Sequence, residues 1–352
     1  MIPDGAPMPA APYGERIIVN VPPQGRGCAL WFGLLFLGFM MVVGLLFTLG
    51  AIGLVANAVE TGSKQVTEEH HSLSKSGTDK IAIITVEGAI LDGDGFVKKQ
   101  IDHVRDDPHV RAIVLRVNSP GGTMTASDYL YHHLQKLAED RKLPIVVSMG
   151  GLAASGGYYV SMAVGSEKDA IFAEPTTWTG SIGVIIPHYN VAGLMKSWEI
   201  EEDSIKSGPL KQMGTPTRPM TDEERKIFEN LVNDSFTRFK DVVKSGRPAL
   251  AADPALLDRV ATGQVFTTDE ALANGLVDKQ GFIEEAIERA IVLAKLRRDK
   301  VQAVKYKKPS SLFAAPFMAD SRKAPDLSAL LDLASPRAYY LCTWLPSALA
   351  GP

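Results

Sequence analysis

Cysteine is almost missing from this chain of 352 residues: Cys28 and Cys342 are its only two. Two thiols cannot build a disulfide framework or a four-thiolate zinc site. An excess of charge is missing too. Thirty-seven basic side chains face 40 acidic ones, for a formal net charge of −3, without the basic balance or stripe of a nucleic-acid binder. The seven histidines (His70, His71, His103, His109, His132, His133 and His188) show no H-E-x-x-H or other metal spacing. No metal and no cofactor is therefore expected, and no nucleic-acid partner. With 45% hydrophobic and 22% charged residues the composition is that of a folded protein.

Charge is most conspicuously absent from residues 27–59, a run of 33 positions without Asp, Glu, Lys or Arg. Spanning a bilayer takes about 20 apolar helical residues, and a signal peptide has an apolar core of only about 7–15. The run therefore reads as an uncleaved transmembrane anchor behind a Pro-rich tail over 1–26. Arg16 and Arg26 on the near side favour a cytoplasmic N-terminus only weakly, because Lys64 and Lys75 follow the far side. Residues 60–79, polar and rich in Ser, Thr, Glu and Lys, read as a tether.

From Lys80 onward short Ile- and Val-rich runs alternate with helical stretches. Strands are expected at 80–90, 110–118, 144–149, 170–174 and 182–187, with helices at 96–106, 123–139, 222–245 and 281–298. This alternation implies an α/β domain over about 80–300 with a mostly parallel sheet. Thr221 with Glu224 makes a capping box for the long helix. Thr268 with Ala271 is a poorer start, and Asn274-Gly275 a plausible stop. Beyond 301 irregular structure is expected.

Glycine-bearing corners after strands are where α/β proteins place their sites. One is Asn118-Ser119-Pro120-Gly121-Gly122-Thr123, whose uncovered amides suit a developing oxyanion or belong to a plain tight turn. Another runs from Gly150 to Tyr159 and holds Ser155 among Ala153, Ala154, Gly156 and Gly157. It has the mechanics of a nucleophile elbow without the G-x-S-x-G pattern, Ala153 standing at the first Gly. A helix cap explains such a serine equally well. A nucleophilic serine needs a base, and no histidine lies in a comparable corner. Lys206, in Ile205-Lys206-Ser207-Gly208, is the other candidate, with Lys211 as a nearby competitor. A lysine base must be desolvated to work near neutral pH, whereas an ordinary loop lysine is solvated.

Together NSPGG at 118–122, AASGGYY at 153–159, TGSIGV at 179–184 and IKSG at 205–208 resemble the signal peptide peptidase A family of membrane-anchored serine proteases. They occur in the family's order, over about residues 80–290, and no internal repeat points to the family's long form with two tandem units. The resemblance implies a ClpP/crotonase-like fold, Ser155 as nucleophile, Lys206 as general base and acid, and Ser181 orienting Lys206. It makes Gly156, with Gly121 or Gly122, the oxyanion hole. It further implies a homo-oligomeric ring in which Lys206 serves the Ser155 of a neighbouring protomer. The implied substrates are cleaved signal peptides and other unfolded membrane or exported segments, and the implied catalytic domain is extracytoplasmic. The stretch 162–169 is longer than the family's pattern, and the Pro-rich ends lie outside it. Two other readings are weighed against this one: a crotonase-like acyl-CoA enzyme, which needs no Ser/Lys pair, and a catalytically silent membrane scaffold. For Tyr339, Tyr340, Leu341, Trp344 and Leu345 three placements are open: packing on the domain, crossing to a neighbour, or lying in the substrate groove. Simple packing is the expectation.

Overall fold

The computed structural model describes residues 36–48, 50, 66–308 and 339–341. The chain divides into two units, residues 1–63 and 64–352. In the first, residues 36–48 are helical, and Phe36, Leu37, Phe39 and Met40 are exposed. No described helix is long and apolar enough to cross a membrane. The expected anchor over 27–59 falls largely outside the described residues.

In the second unit the principal elements are, in chain order, β1 (Thr67–Leu73), β2 (Asp79–Glu87), α1 (Phe96–Asp106), β3 (Val110–Ser119) and β4 (Gly121–Thr123). There follow α2 (Met124–Arg141), β5 (Ile145–Ala154), α3 (Gly156–Ser161), β6 (Ile171–Ala173), β7 (Trp178–Gly180) and α4 (Asp222–Gly246). The unit continues with β8 (Val265–Phe266), β9 (Lys279–Gln280), α5 (Ile283–Leu293), β10 (Val301–Lys307) and β11 (Tyr339–Leu341). The main sheet runs β1-β10-β2-β3-β5-β6-β9, with β7 added to β5 and β8 to β7. From β10 through β9 every neighbouring pair is parallel, and β1 joins β10 antiparallel.

The Ile- and Val-rich runs are continuous because parallel strands are covered on both faces. Alternation sorts their side chains. Ile81, Ile83, Ala112, Val114 and Val146 pack with Ala286, Ile287 and Ala290 of α5. Ala82, Ile84, Ile113, Leu115 and Val147 belong to the opposite core, with Ile101 of α1, Leu130, Leu134 and Leu137 of α2, and Phe239 of α4. The result is the mixed α/β architecture with a parallel-rich sheet that the alternation of elements predicts.

Several boundaries differ from expectation. The segment read as a tether contains β1, and the segment read as an irregular tail begins with β10, which lies between β1 and β2. β1 is polar along nearly its whole length (Thr67, Glu68, Glu69, His70, His71, Ser72), and β10 interrupts its apolar residues with Gln302, Lys305 and Lys307, and this hides both from a search for apolar runs. The strand expected at 182–187 is instead β7, at 178–180, and Ile185 makes only an isolated bridge. The capping box near 268 starts one residue earlier: Thr267 Oγ1 accepts from Glu270 N, and Glu270 Oε2 accepts from Thr267 N at 2.9 Å. Thr268 is buried and donates its hydroxyl to Glu174 O. The box at Thr221 and Glu224 is present as expected.

Candidate active site

Three strand ends converge. In the β3–β5 ladder Ser119 pairs with Ala153, and in the β5–β7 ladder Ala154 pairs with Gly180. Ser155 and Ser181 are therefore the next residues after a paired position on adjacent strands, and Ser155 N donates to Gly180 O at 2.8 Å. This is how motifs distant in sequence meet at the carboxyl edge of a parallel sheet.

Ser155 is 1% exposed and has φ 54° and ψ −116°, a backbone state that a side chain rarely adopts. Strain of this kind is kept where the surrounding structure fixes it, commonly at a reacting centre. Here α3 fixes it, because Ser155 is that helix's N-cap residue and its carbonyl accepts from Tyr159 N at 2.8 Å. Its side chain makes no capping bond, so the simple cap reading does not account for it. Ser181 shares the positive φ, at 52°, and is 7% exposed.

The two glycine corners touch. A Cβ on Gly121 (φ +99°) would lie 2.6 Å from Gly156 N, and one on Gly156 would lie 3.1 Å from Gly122 N and 2.5 Å from Ser127 Oγ. Gly157 is equally confined, with Ser119 O 2.8 Å from a Cβ built there. The small residues of both motifs are thus a packing requirement of one shared corner. The Gly121 amide donates to Ser119 Oγ at 3.1 Å. Gly122 is paired with Tyr340 in the β4–β11 ladder, and the Gly156 amide is the one at the corner that belongs to neither a strand pair nor a bond to Ser119.

Lys206 stands elsewhere. It is exposed, in an irregular stretch following residue 200, and its amine donates to Gln212 Oε1 at 2.9 Å. Gln212 in turn bonds Glu202, whose carboxyl is held below the ordinary glutamate range by the Thr217 and Ser204 hydroxyls. Within one chain, then, Ser155, Ser181, Gly121, Gly122 and Gly156 are brought together and Lys206 is not. Lys211 is exposed in the short turn Pro209–Gln212. Among the histidines, His188 Nε2 bonds Thr215 O at 3.3 Å, and His103 and His133 pack against Tyr306 and Tyr129. None meets Ser155. Among the described residues no group of three His, Cys, Asp or Glu could hold a metal ion.

The model of the family described as peptidase family S49 matches residues 137–297. A putative signal peptide peptidase SppA of Enterococcus faecium is 33% identical over 277 residues, covering 75% of this chain and 77% of that protein. The chain belongs to peptidase family S49. Other similar proteins include Protease 4 of Salmonella typhi, 37% identical over 226 residues, which cover 62% of this chain and 35% of that protein. The chloroplastic serine protease SPPA of Arabidopsis thaliana is 33% identical over 253 residues, 67% of this chain and 36% of that protein. The matched region is thus about a third of these two longer relatives. Family membership places the chain among serine-type peptidases. The S49 match contains Ser155, Ser181 and Lys206, and the Gly121–Gly122 corner precedes it.

Of the tail residues, Tyr340 packs into the core against Tyr159 and Phe239, the expected placement, while Trp344 and Leu345 lie outside the described residues; sequence reasoning missed Phe239 as its partner. Aromatic spacing alone gave no reason to bring 159, 239 and 340 together.

Proposed function

We propose that this S49 peptidase is a membrane-anchored serine endopeptidase with a Ser/Lys dyad, cutting cleaved signal peptides and other unfolded membrane or exported segments. The observation that carries the reading is Ser155: buried, strained at positive φ, next to Gly180 and Ser181 across the ladder, and followed by Gly156 of the joined glycine corners.

In the reaction Ser155 Oγ attacks a peptide carbonyl while neutral Lys206 takes its proton. The carbonyl oxygen gains negative charge and is held by the Gly156 amide with that of Gly122, or of Gly121 where it releases Ser119. An oxyanion donor of this sort is worth about 3–4 kcal/mol of barrier. Lys206 returns the proton to the leaving amine, and the acyl-serine is then hydrolysed by a water that Lys206 deprotonates. Ser181 orients the lysine amine.

The exposed position of Lys206 supports supply of the base by a second copy in a ring. Its segment also exposes Tyr189, Leu194, Trp198, Ile200 and Ile205, an apolar surface of the kind that interfaces cover. The uncharged run over 27–59 supports a single anchor, with the N-terminus cytoplasmic and the catalytic unit extracytoplasmic.

The test is cleavage of an apolar peptide by the full chain in detergent. Ser155→Ala and Lys206→Ala should each abolish it. Full activity in both variants would overturn the dyad.

A further inference from the structure

The end of β5 leads straight into Ser155, and Gly150 and Gly151 interrupt its ladders just before it. In the β3–β5 ladder Val117 pairs with Met149 and Ser119 with Ala153, so Gly150, Gly151 and Leu152 stand against Asn118 alone. On the other edge β6 pairs only as far as Met149, and β7 takes over from Leu152. The two glycines thus have no paired position in either ladder, a bulge of the kind that re-aims a strand beside a reacting centre. Side chains hold the interrupted stretch. Asn118 Oδ1 accepts from Leu152 N at 3.2 Å. Thr177 Oγ1 donates to Gly150 O at 2.7 Å. Thr179 Oγ1 donates to Ala153 O, also at 2.7 Å, with Met149 Sδ the next contact at 3.5 Å. Thr177 and Thr179 are fully buried, so solvent does not replace either bond once it is lost.

The two threonine bonds differ in what they hold. Gly150 lies before the exposed Gly151, whereas Ala153 lies after it and is separated from Ser155 by Ala154 alone. Thr179 is itself fixed from both sides, because it pairs with Ala153 of β5 and with Phe266 of β8. Branching at Cβ restricts its rotamer, so the hydroxyl is aimed and does not swing. Ser155 is then held at three points. Its amide donates to Gly180 O at 2.8 Å, and its carbonyl accepts from Tyr159 N at 2.8 Å. The third point is the Thr179 hydroxyl, acting through the Ala153 carbonyl on the strand that delivers the serine. A residue at φ 54° keeps that state only while such neighbours fix it. Thr179 also lies on the strand that ends beside Ser181, so one side chain ties the strands of both serines together.

We propose that Thr179 is a positioning residue of the nucleophile: its buried hydroxyl, bonded to the Ala153 carbonyl, sets where Ser155 Oγ stands relative to the glycine corner. Being fully buried, it meets no substrate and acts only through the strand. The proposal rests on the reading of Ser155 as nucleophile and adds to it a residue outside the dyad. Reacting atoms misplaced by about 1 Å can lose about 100-fold in rate, so the bond is read in turnover more than in substrate binding.

The experiment measures hydrolysis of an internally quenched peptide of alanine and leucine by the full chain in detergent, with denaturant midpoints taken on the same preparations. Thr179→Val removes the hydroxyl and keeps the branched shape. It should lower kcat at least about tenfold while KM stays within about twofold. Thr179→Ser restores the hydroxyl and should return kcat to within about threefold of the native value. Thr177→Val removes an equally short buried bond to the same strand. It should lower the denaturant midpoint to a similar extent, with kcat within about twofold of native. A merely structural role would make the two valine variants alike in turnover; that result overturns the proposal, as does native kcat in Thr179→Val. Should Thr179→Val fail to fold, Thr179→Ala and Thr179→Ser replace it, since they differ by the hydroxyl alone. A serine variant faster by at least about tenfold supports the proposal, and equal turnover overturns it. Ser155→Ala separates this test from the reading beneath it. An inactive Ser155→Ala with unimpaired Thr179→Val strikes out the positioning role alone, whereas an active Ser155→Ala strikes out both.

Discussion

Gly121 and Gly156 come from motifs 35 positions apart, yet a Cβ on the first would lie 2.6 Å from the backbone nitrogen of the second. Gly121 also holds φ +99°, so even alanine there meets both strain and backbone atoms that cannot step aside. Gly121→Ala should lower stability by about 3 kcal/mol and cut peptide hydrolysis by at least 100-fold. Gly151→Ala is the control, since its Cβ would meet nothing nearer than 4.0 Å; its stability should change by less than about 0.5 kcal/mol. Urea unfolding and a hydrolysis assay on both variants check this.

Ser155 carries its strain in the backbone, not in the hydroxyl. Ser155→Ala keeps a Cβ at φ 54°, whereas Ser155→Gly removes it and relaxes the residue. Both variants should be inactive, but the glycine variant should be more stable than the alanine variant by about 1 kcal/mol. Denaturant midpoints decide the comparison. Equal midpoints would show that the strain is not held there.

The elements legible in the sequence are those whose burial is two-sided or whose caps are local. β2, β3 and β5 announce themselves as apolar runs, and α4 through Thr221 and Glu224 at its start. Ser155, Ser181 and the glycine corners were legible as short motifs, because close backbone approach admits only small residues. What escaped depends on distant partners. β1 and β10 are recognised only once each is seen to pair with the other, since their outward side chains, Glu69, Lys305 and Lys307, form ion pairs across the strands. The role of Tyr340 depends on a ring in α3 and another in α4. Lys206 is the reverse case: its motif is plain in the sequence, but one chain does not bring it to Ser155.

That separation makes a mixing experiment decisive for the source of the base. If a neighbouring copy supplies Lys206, Ser155→Ala and Lys206→Ala chains assembled together create sites with an intact serine on one copy and an intact lysine on the next. In a head-to-tail ring of random composition about a quarter of the sites should be complete. Activity should therefore return to about that fraction of the unsubstituted enzyme when the two are mixed before assembly. Mixtures as inactive as their parts would place the lysine and serine of one site in one chain.

Acid should weaken the start of α4, the helix that carries Phe239 into the core. Glu224 is 1% exposed, and its carboxylate accepts from Thr221 N at 3.0 Å and from the Arg218 guanidinium. Arg218, helped by that amide, holds the Glu224 pKa down from 4.5 to about 2. A carboxyl depressed in the folded state adds stability that is complete above its unfolded pKa and disappears as pH falls through its folded one. The window for Glu224 is therefore about pH 5 down to about pH 2. Glu224→Gln keeps the shape and loses the charge, so it should be clearly less stable than the native chain at pH 7. The gap should shrink steadily through pH 4 and nearly close by pH 2.5. Guanidinium unfolding of both proteins at those three values checks it, and a gap independent of pH would show that packing, not the ion pair, holds this end of α4.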